Sequence, residues 1–297
     1  MRCLIIGVDG SFGGALSRSL QSLGHEVVAT TRRRDHVGEH LFLDLAAPLP
    51  VLPQVDVAII CAAMARLDDC RRHPELAHRV NVAAPFELAR TLTRAGARVI
   101  LLSTSSVSGC LVPHVEENAS PAPRGAYARL KAEAEARLLE LGSRISVLRL
   151  TKVVKPNSGL LSDWIRHLGD GKPVRAFDDS RFCPLTAAHV VDAIAAVIQD
   201  GRGGVYHLSG AADVSYVEAV KFFAQRIGVA TDLVEPVHGV DSGLPYEELT
   251  PFTSLATSRL SRLNGFVPPD ALEVLQDVYA PEIAAARIAL PTHQGSV

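Results

Sequence analysis

The stretch that most constrains this chain is its beginning, Arg2-Cys3-Leu4-Ile5-Ile6-Gly7-Val8-Asp9-Gly10-Ser11-Phe12-Gly13-Gly14. Residues 3–6 have the length and β-branched content of a buried strand, and the run stops at Gly7, Gly10 and Gly13 before a helical pattern over 15–23. A strand, a glycine turn and a helix in that order suit a dinucleotide. Gly7 can take the tight turn, Gly10 lets the main chain approach a pyrophosphate, and Gly13 lets the helix sit close to the strand. Ser11 and Phe12 belong to the same cradle. The helix N-terminus adds N–H groups and a partial positive charge for the phosphates. Glycine turns between strands and helices are common for packing alone; the position of this one at the head of a β-α repeat is what points to a cofactor.

The repeat continues. Residues 26–29, 55–60, 98–102 and 145–150 read as further strands, and helical spacing covers 74–95, with Pro74 as a break or restart, and 124–141. This alternation predicts an α/β fold, a doubly wound parallel sheet of the Rossmann type with helices on both faces. Beyond Leu150 the rhythm loosens into helices at 158–168, 186–198 and 215–227 and strands at 173–177 and 204–208. From Val229 the prolines at 236, 245, 251, 268, 269 and 281 predict an irregular segment with short helices capping one sheet edge, and a disordered tail after Leu290. The expected division is a dinucleotide-binding core over 1–150 and a mixed segment over 151–297 that completes the core and forms a smaller substrate-binding part.

Composition narrows the function. With 297 residues, 47% hydrophobic and 21% charged, the chain can bury a large core. Its 30 basic and 32 acidic residues give a formal charge of −2, which offers no broad footprint for nucleic acid or an anionic membrane. No apolar run reaches the roughly 18 residues needed to span a bilayer. Met1 leads straight into the first strand without room for a signal peptide, so a cytoplasmic location is expected. The five cysteines show no C-x-x-C spacing and read as buried thiols. His36 and His40 have i,i+4 spacing with Gly38 between them and no third ligand, so no metal is expected.

The end of the second strand bears on cofactor choice. An acidic residue about 20 positions beyond the glycines would bind a ribose 2′-hydroxyl, whereas arginine there accommodates a 2′-phosphate. Here Thr30-Thr31 is followed by Arg32-Arg33-Arg34, which favours NADP(H) over NAD(H); the other reading of the arginines is a solvated turn, and Asp35 is the residue that could upset the preference. Asp44 and Leu45, in the apolar stretch before the third strand, and Ala62 and Ala63, just after it, complete the expected cofactor contacts. Small side chains at that strand end would let a flat ring or ribose lie against the backbone.

The chemistry is carried further along. The fourth strand opens into Ser103-Thr104-Ser105-Ser106-Val107-Ser108-Gly109, and the next helix carries Tyr127-Ala-Arg-Leu-Lys131. The pair stands on one helix face, about 6 Å apart along the axis. A cation held there favours the phenolate and lowers the tyrosine pKa from about 10, each unit being worth about 1.4 kcal/mol. A tyrosine so tuned can protonate an alkoxide or deprotonate an alcohol. Thr104 would add a hydroxyl hydrogen bond to the same oxygen. Lys131 with Glu135 and Glu133 with Arg137 mark a partly solvated helix supported by i,i+4 pairs.

Gly7-Val-Asp-Gly10-Ser-Phe-Gly13, Leu102-Ser-Thr-Ser-Ser-Val-Ser-Gly109, Tyr127-Ala-Arg-Leu-Lys131 and Arg149 together resemble the extended branch of the short-chain dehydrogenase/reductase superfamily, over roughly residues 1–210. The resemblance implies that Tyr127 is the acid/base, Thr104 its hydrogen-bonding partner, and Lys131 both a tuning charge and a ligand of the nicotinamide ribose. It also implies a small-molecule substrate and a homodimer built through helices on one face of the sheet. Within that branch, residues 176–192 resemble the corresponding segment of the dTDP-4-dehydrorhamnose reductases and their relatives. Those carry an acidic residue and a tyrosine where this chain has Ser105 and Ser106, and an aromatic residue where it has Lys152. Ser105 and Ser106 are accordingly candidate substrate contacts. Lys152 and Arg181 either meet an anionic substrate group such as a diphosphate or are surface charges.

These residues lead to an NADP(H)-dependent reductase of a carbonyl on a nucleotide-linked sugar or similar polar metabolite. The rivals are a redox-neutral sugar-nucleotide epimerase or dehydratase and a non-catalytic dinucleotide-binding regulator. A dehydratase would want an acid/base pair beside the threonine, where Ser105-Ser106 offers no carboxylate.

Overall fold

The computed structural model describes all residues except Ser11, Val37, Leu244, Tyr246, Glu247, Glu248 and residues 290–297. The cofactor contact expected of Ser11 and the disordered tail expected after Leu290 therefore lie outside the described residues.

The frame is one parallel sheet of seven strands: β1 (Arg2–Ile6), β2 (Glu26–Thr31), β3 (Leu41–Phe42), β4 (Val57–Ile60), β5 (Arg98–Thr104), β6 (Ile145–Leu150) and β7 (Gly204–Leu208). Their spatial order is β7-β6-β5-β4-β1-β2-β3. The order reverses beside β1: β2 and β3 step one way and β4 onward the other, which opens a crevice at the carboxyl ends of β1 and β4. Both faces are buried, so the strands are mostly apolar, with Thr30, Thr31, Ser103, Arg149 and His207 as buried polar exceptions. Cys3 and Ile5 face a core with Leu16 and Leu20 of α1 (Gly13–Ser22) and Ile194 of α7 (Ala187–Asp200). Leu4 and Ile6 face the opposite core, with Leu88 of α4 (Ala84–Arg94) and Leu138 of α5 (Ala126–Leu139).

The predicted alternation holds, with instructive differences. β3 pairs Leu41 and Phe42 with Thr30 and Thr31; two residues have no period to read. The helical stretch over 74–95 resolves into α3 (Pro74–His78), a wide π-type turn (Arg79–Ala83) and α4, preceded by α2 (Leu67–Arg72). Pro85, in the first turn of α4, lacks an N–H and crowds the carbonyl four residues back, that of Asn81.

Beyond β6, α6 (Gly159–Gly169), α8 (Tyr216–Ile227) and α10 (Ala271–Ala289) enclose a separate core around Trp164, Phe182, Phe223 and Tyr279. Short strand pairs complete it, among them Val174–Phe177 with Val234–Val237 and Arg181–Phe182 with Val214–Ser215. The irregular segment expected after Val229 is corrected here, because α10 is one helix that runs through Pro281. A proline inside a helix costs about 3 kcal/mol. The buried stripe of Leu275, Tyr279 and Ile283 outweighs it at about 1.5–3 kcal/mol per large apolar side chain. The shorter α9 (Ser258–Asn264) lies against the edge strand β7, with Leu260 in the sheet core.

All five cysteines are unpaired thiols, four of them buried and Cys61 partly so. Among the described residues no helix is long and apolar enough to cross a membrane.

Candidate active site

The glycine turn is dictated by close approach. Gly7 has φ +97°, and a Cβ on it would lie 2.8 Å from that of Ala62, across the crevice between β1 and β4. A Cβ on Gly13 would lie 2.6 Å from the Gly7 carbonyl and 2.7 Å from that of Val8. The small size of Ala62 therefore has a packing cause, and its N–H donates to the Ile6 carbonyl at 2.9 Å. Ala63 beside it is exposed. At Gly10 a Cβ would meet only the Gly7 carbonyl, at 3.2 Å. The N-cap of α1, Phe12, makes no side-chain capping hydrogen bond, and its ring packs against the core. The turn thus offers a cradle without side chains and a helix start with its first N–H groups uncapped by one, which fits a pyrophosphate.

The end of β2 is tied to this turn. Gly7 N donates to Thr30 Oγ1 at 3.1 Å and Val8 N to the Thr30 carbonyl at 3.0 Å. Arg32 and Arg33 follow as exposed side chains, with Arg33 N donating to Thr31 Oγ1 at 2.9 Å. Asp35 turns to His36 at 3.8 Å and is largely exposed. The carboxylate that does stand at the β2 end comes from the glycine turn itself. Asp9 accepts from Thr31 Oγ1 at 2.5 Å and pairs with His36 Nδ1 at 3.1 Å. The Thr31 hydrogen bond, above all, and then His36 and the Arg33 charge hold its carboxyl below the usual range. Sequence reading sought an acid at the end of β2 and passed over the one two residues after Gly7. Asp44 accepts from Ala46 N at 3.0 Å in a local turn. Leu45 is buried in the core, so only its main chain can meet a cofactor.

Tyr127 is in the first turn of α5 and Lys131 one turn on. Lys131 is buried, and its Nζ donates to the Leu102 carbonyl at 2.7 Å. Burial lowers its pKa to about 8, while Glu135 and Cys61 pull it back up. The Tyr127 phenol moves the other way, pushed up to about 12 by burial, with Cys70 adding to the rise. This corrects the expectation of a lowered phenol: the ammonium is directed to a main-chain carbonyl of β5, and desolvation prevails at the tyrosine.

Thr104 ends β5 and caps the short turn Ser105–Ser108, its Oγ1 accepting from Ser106 N and donating to Ser106 Oγ, both at 3.2 Å. Ser105 has its side chain buried away. Ser106 and Tyr127 line one cavity of about 120 Å³, with Leu67 and Arg71 of α2, Arg124 and Arg129 at the head of α5, and Leu249 and Thr250 from the far lobe. Arg181 adjoins that wall: its N–H donates to the Thr250 carbonyl at 2.8 Å, and its guanidinium pairs with Glu218 at 3.3 Å. Lys152 does not line this cavity. Its Nζ donates to Tyr216 OH at 3.0 Å and lies 5.4 Å from the centre of the Phe182 ring.

The i,i+4 reading of α5 holds for Glu133 and Arg137, an exposed pair at 3.5 Å. It does not hold for Glu135. That carboxylate is buried, accepts from the Ser103 hydroxyl, and is forked by Arg149 at 2.7 and 3.0 Å. Beyond Arg149 lies His207, its Nε2 3.4 Å from a guanidinium nitrogen and its Nδ1 3.1 Å from the Ala256 carbonyl. Burial and the Arg149 charge push its pKa down to about 4. The ring is therefore neutral, accepting at Nε2 and donating from Nδ1. Asn81, buried in the π-type turn, also escaped sequence reading. Its amide accepts from Met64 N at 2.9 Å and donates to the Met64 carbonyl at 3.0 Å, fixing the segment that leaves β4.

Residues 1–282 match the family described as the RmlD substrate binding domain. The chain belongs to that family, within the extended short-chain dehydrogenase/reductase superfamily. A dTDP-4-dehydrorhamnose reductase of Mycobacterium tuberculosis (strain CDC 1551 / Oshkosh) is 28% identical over 277 residues, covering 90% of this chain and 88% of the relative. The crystal structure of a dTDP-4-dehydrorhamnose reductase from Clostridium acetobutylicum superposes with a TM-score of 0.80 at 22% identity, over 95% of this chain and 99% of that one. The enzyme of that name from Bacillus anthracis, solved in complex with NADP, gives 0.77 at 20% identity, over 94% and 99%. Their fold is the fold described above.

Proposed function

We propose that this chain is an NADP(H)-dependent reductase of a sugar-nucleotide carbonyl, with Tyr127 as the acid. The observation that carries the reading is the pairing of a half-buried phenol that lines the cavity with a buried ammonium one helical turn away, on a helix beside the switch-point crevice. The names of the relatives support the substrate class.

Gly7, Gly10 and Gly13 with the first turn of α1 hold the pyrophosphate, and Arg32 and Arg33 take the 2′-phosphate. NADPH, when bound, supplies a hydride to the carbonyl carbon. Tyr127, a phenol with its pKa near 12, is protonated at neutral pH and gives that proton to the carbonyl oxygen. Lys131, charged below about pH 8, stabilises the phenolate left behind until solvent returns the proton. The Thr104 and Ser106 hydroxyls hydrogen-bond the oxygen as its charge grows. Residues 151–297 supply the substrate lobe, with Leu249 and Thr250 as the far wall.

The test combines calorimetric titration of NADPH and NADH with NADPH oxidation on 4-keto-6-deoxy nucleotide sugars. Expected are tighter NADPH binding, weakened in Arg32→Ala and Arg33→Ala, and stoichiometric NADPH consumption. Turnover without net oxidation would replace the reductase by an epimerase. Unchanged activity in Tyr127→Phe would remove the tyrosine from the mechanism.

A further inference from the structure

Ser103, Arg149 and His207 stand side by side across β5, β6 and β7, in register with one another and all buried. The rows beneath them on the same face are Leu101, Val147 and Val205, then Val99 and Ile145, with Ala134 and Leu138 of α5 in the same core. The polar row is the one nearest the carboxyl ends of the strands, where the site lies. Stability does not ask for charge there. A buried ion pair is seldom worth more than apolar side chains of the same volume, because both charges give up their water, and the rows beneath are apolar. What stands next to the row explains it. Glu135 lies one helical turn from Lys131 on α5, and both are buried, so two buried cations could take its carboxylate. Arg149 has it: Nε and Nη2 fork the two oxygens at 2.7–3.2 Å, the Ser103 hydroxyl donates to one of them, and His207 Nε2 stands 3.4 Å from Nη1. Lys131 makes no ion pair among the described residues; its Nζ donates to the carbonyl of Leu102, next to Ser103, at 2.7 Å.

We propose that Arg149 is a positioning residue of the reaction: by holding Glu135 it keeps that carboxylate from capturing the Lys131 ammonium, and so leaves the ammonium to serve Tyr127. The inference rests on the reductase reading, in which Lys131 stabilises the phenolate. A carboxylate released from Arg149 would have Lys131 as the cation within one turn of it. An ammonium drawn into that pair leaves the Leu102 carbonyl and keeps its proton to higher pH. Arginine suits the task because its planar fork occupies both carboxylate oxygens at once, where a lysine would cover one. The other groups around α5 leave the competition to these three. The end of β4 brings Cys61 toward Lys131, α2 brings Cys70 toward Tyr127, and the charged side chains His78 and Arg79 pair with Glu133 and Glu87.

The test reads Lys131 directly, by the pH titration of its Cε signal in protein labelled with carbon-13 lysine, the signal being assigned by its loss in Lys131→Arg. Beside it runs NADPH oxidation on 4-keto-6-deoxy nucleotide sugars, and circular dichroism reports that each variant is folded. In Arg149→Met the Lys131 titration is expected to move up by about one pH unit or more, and kcat to fall by about 10²-fold as the ammonium is misplaced. The milder Arg149→Lys leaves one carboxylate oxygen open and is expected to move the titration the same way by less. Adding Glu135→Gln to Arg149→Met removes the competing carboxylate. The titration is then expected to fall below the native one, and kcat, read on its acid side, to recover by about tenfold over Arg149→Met. A Lys131 titration that stays or falls in both single variants would overturn the inference, and so would a kcat that the second substitution does not restore. Native protein that oxidises no NADPH with these sugars would overturn the reductase reading, while the carbon-13 titrations would still decide whether Arg149 keeps Glu135 from Lys131.

Discussion

Tyr127 and Lys131 are neighbours on α5, yet burial drives them apart, the phenol up to about 12 and the ammonium down to about 8. For a reduction this ordering leaves the proton on the tyrosine and the charge on the lysine. Tyr127→Phe is therefore expected to lower kcat by about 10²–10⁴-fold while NADPH affinity, read by fluorescence titration, stays within about twofold. The charge of Lys131 disappears as pH rises through about 8, so activity falls on that limb. Glu135 pulls this pKa upward, and Arg149 neutralises Glu135. In Glu135→Gln the upward pull is gone and Arg149 faces Lys131 uncompensated; the alkaline limb of the pH–rate profile moves to lower pH. Stability follows the opposite course. The unfolded chain binds the lysine proton up to its ordinary value near 10.5, so this group's contribution to stability rises with pH between about 8 and 10.5. Asp9 sets the third test. Its carboxylate stands at the β2 end beside Arg33, where, on the proposed reading, it would oppose a 2′-phosphate. Two charges about 4 Å apart interact by about 1 kcal/mol in a water-like dielectric. Asp9→Asn is thus expected to tighten NADPH binding roughly fivefold and to leave NADH nearly unchanged, by calorimetry. The places of the glycines between β1 and α1, of Thr104 at the end of β5 and of Tyr127 and Lys131 on α5 were legible from residue type and order. Asp9, Asn81 and the burial of Glu135 were not, because their partners Thr31, Met64 and Arg149 come from other elements.

Among the elements, the strands of the sheet were the most legible, since a strand buried on both faces is a continuous apolar run. Helices were legible where their apolar spacing was unbroken, and less so at proline. Pro85 widened a turn within a predicted helix, whereas Pro281 was absorbed by α10. What distinguishes them is the surrounding burial, which local sequence does not carry. The β1–α1 junction tests how packing and binding divide between glycines. A methyl on Gly13 would meet main-chain atoms of Gly7 and Val8 at 2.6–2.8 Å, whereas one on Gly10 meets a single carbonyl at 3.2 Å. Gly13→Ala is expected to cost about 1–3 kcal/mol of stability, read as a fall in Tm, and to weaken NADPH binding with it. Gly10→Ala is expected to leave Tm nearly unchanged and still to weaken NADPH binding, because there the methyl occupies the pyrophosphate's path. An unaltered NADPH affinity in Gly10→Ala would remove Gly10 from the cradle.

In the molecule as a whole, the site is closed by parts far apart in the chain. The loop after β5 and the segment around residues 250–256 are stitched together: Phe252 N donates to the Cys110 carbonyl at 3.1 Å, Ala256 N to that of Val115 at 3.0 Å, and Val115 bridges Leu255. No local pattern announces this arrangement, since its pairings are one or two residues long and join the two halves of the chain. Asp213 anchors it. One carboxylate oxygen accepts from Thr253 N at 2.7 Å, Thr253 Oγ1 at 2.8 Å and Ser254 N at 3.0 Å. The segment it holds leads directly from the cavity wall at Leu249 and Thr250. Asp213→Ala would leave those donors without their acceptor, at about 1–3 kcal/mol for each that stays unsatisfied. The segment relieves this cost by moving, and the wall moves with it. The glycine turn and the β2 end are built from other contacts, so they keep their geometry. The expected result is a KM for the nucleotide sugar raised about tenfold with the NADPH Kd within about twofold, measured by initial rates and by titration. An equal rise in both would make Asp213 a support of the whole fold, and no change in either would mean that the wall does not depend on this anchor.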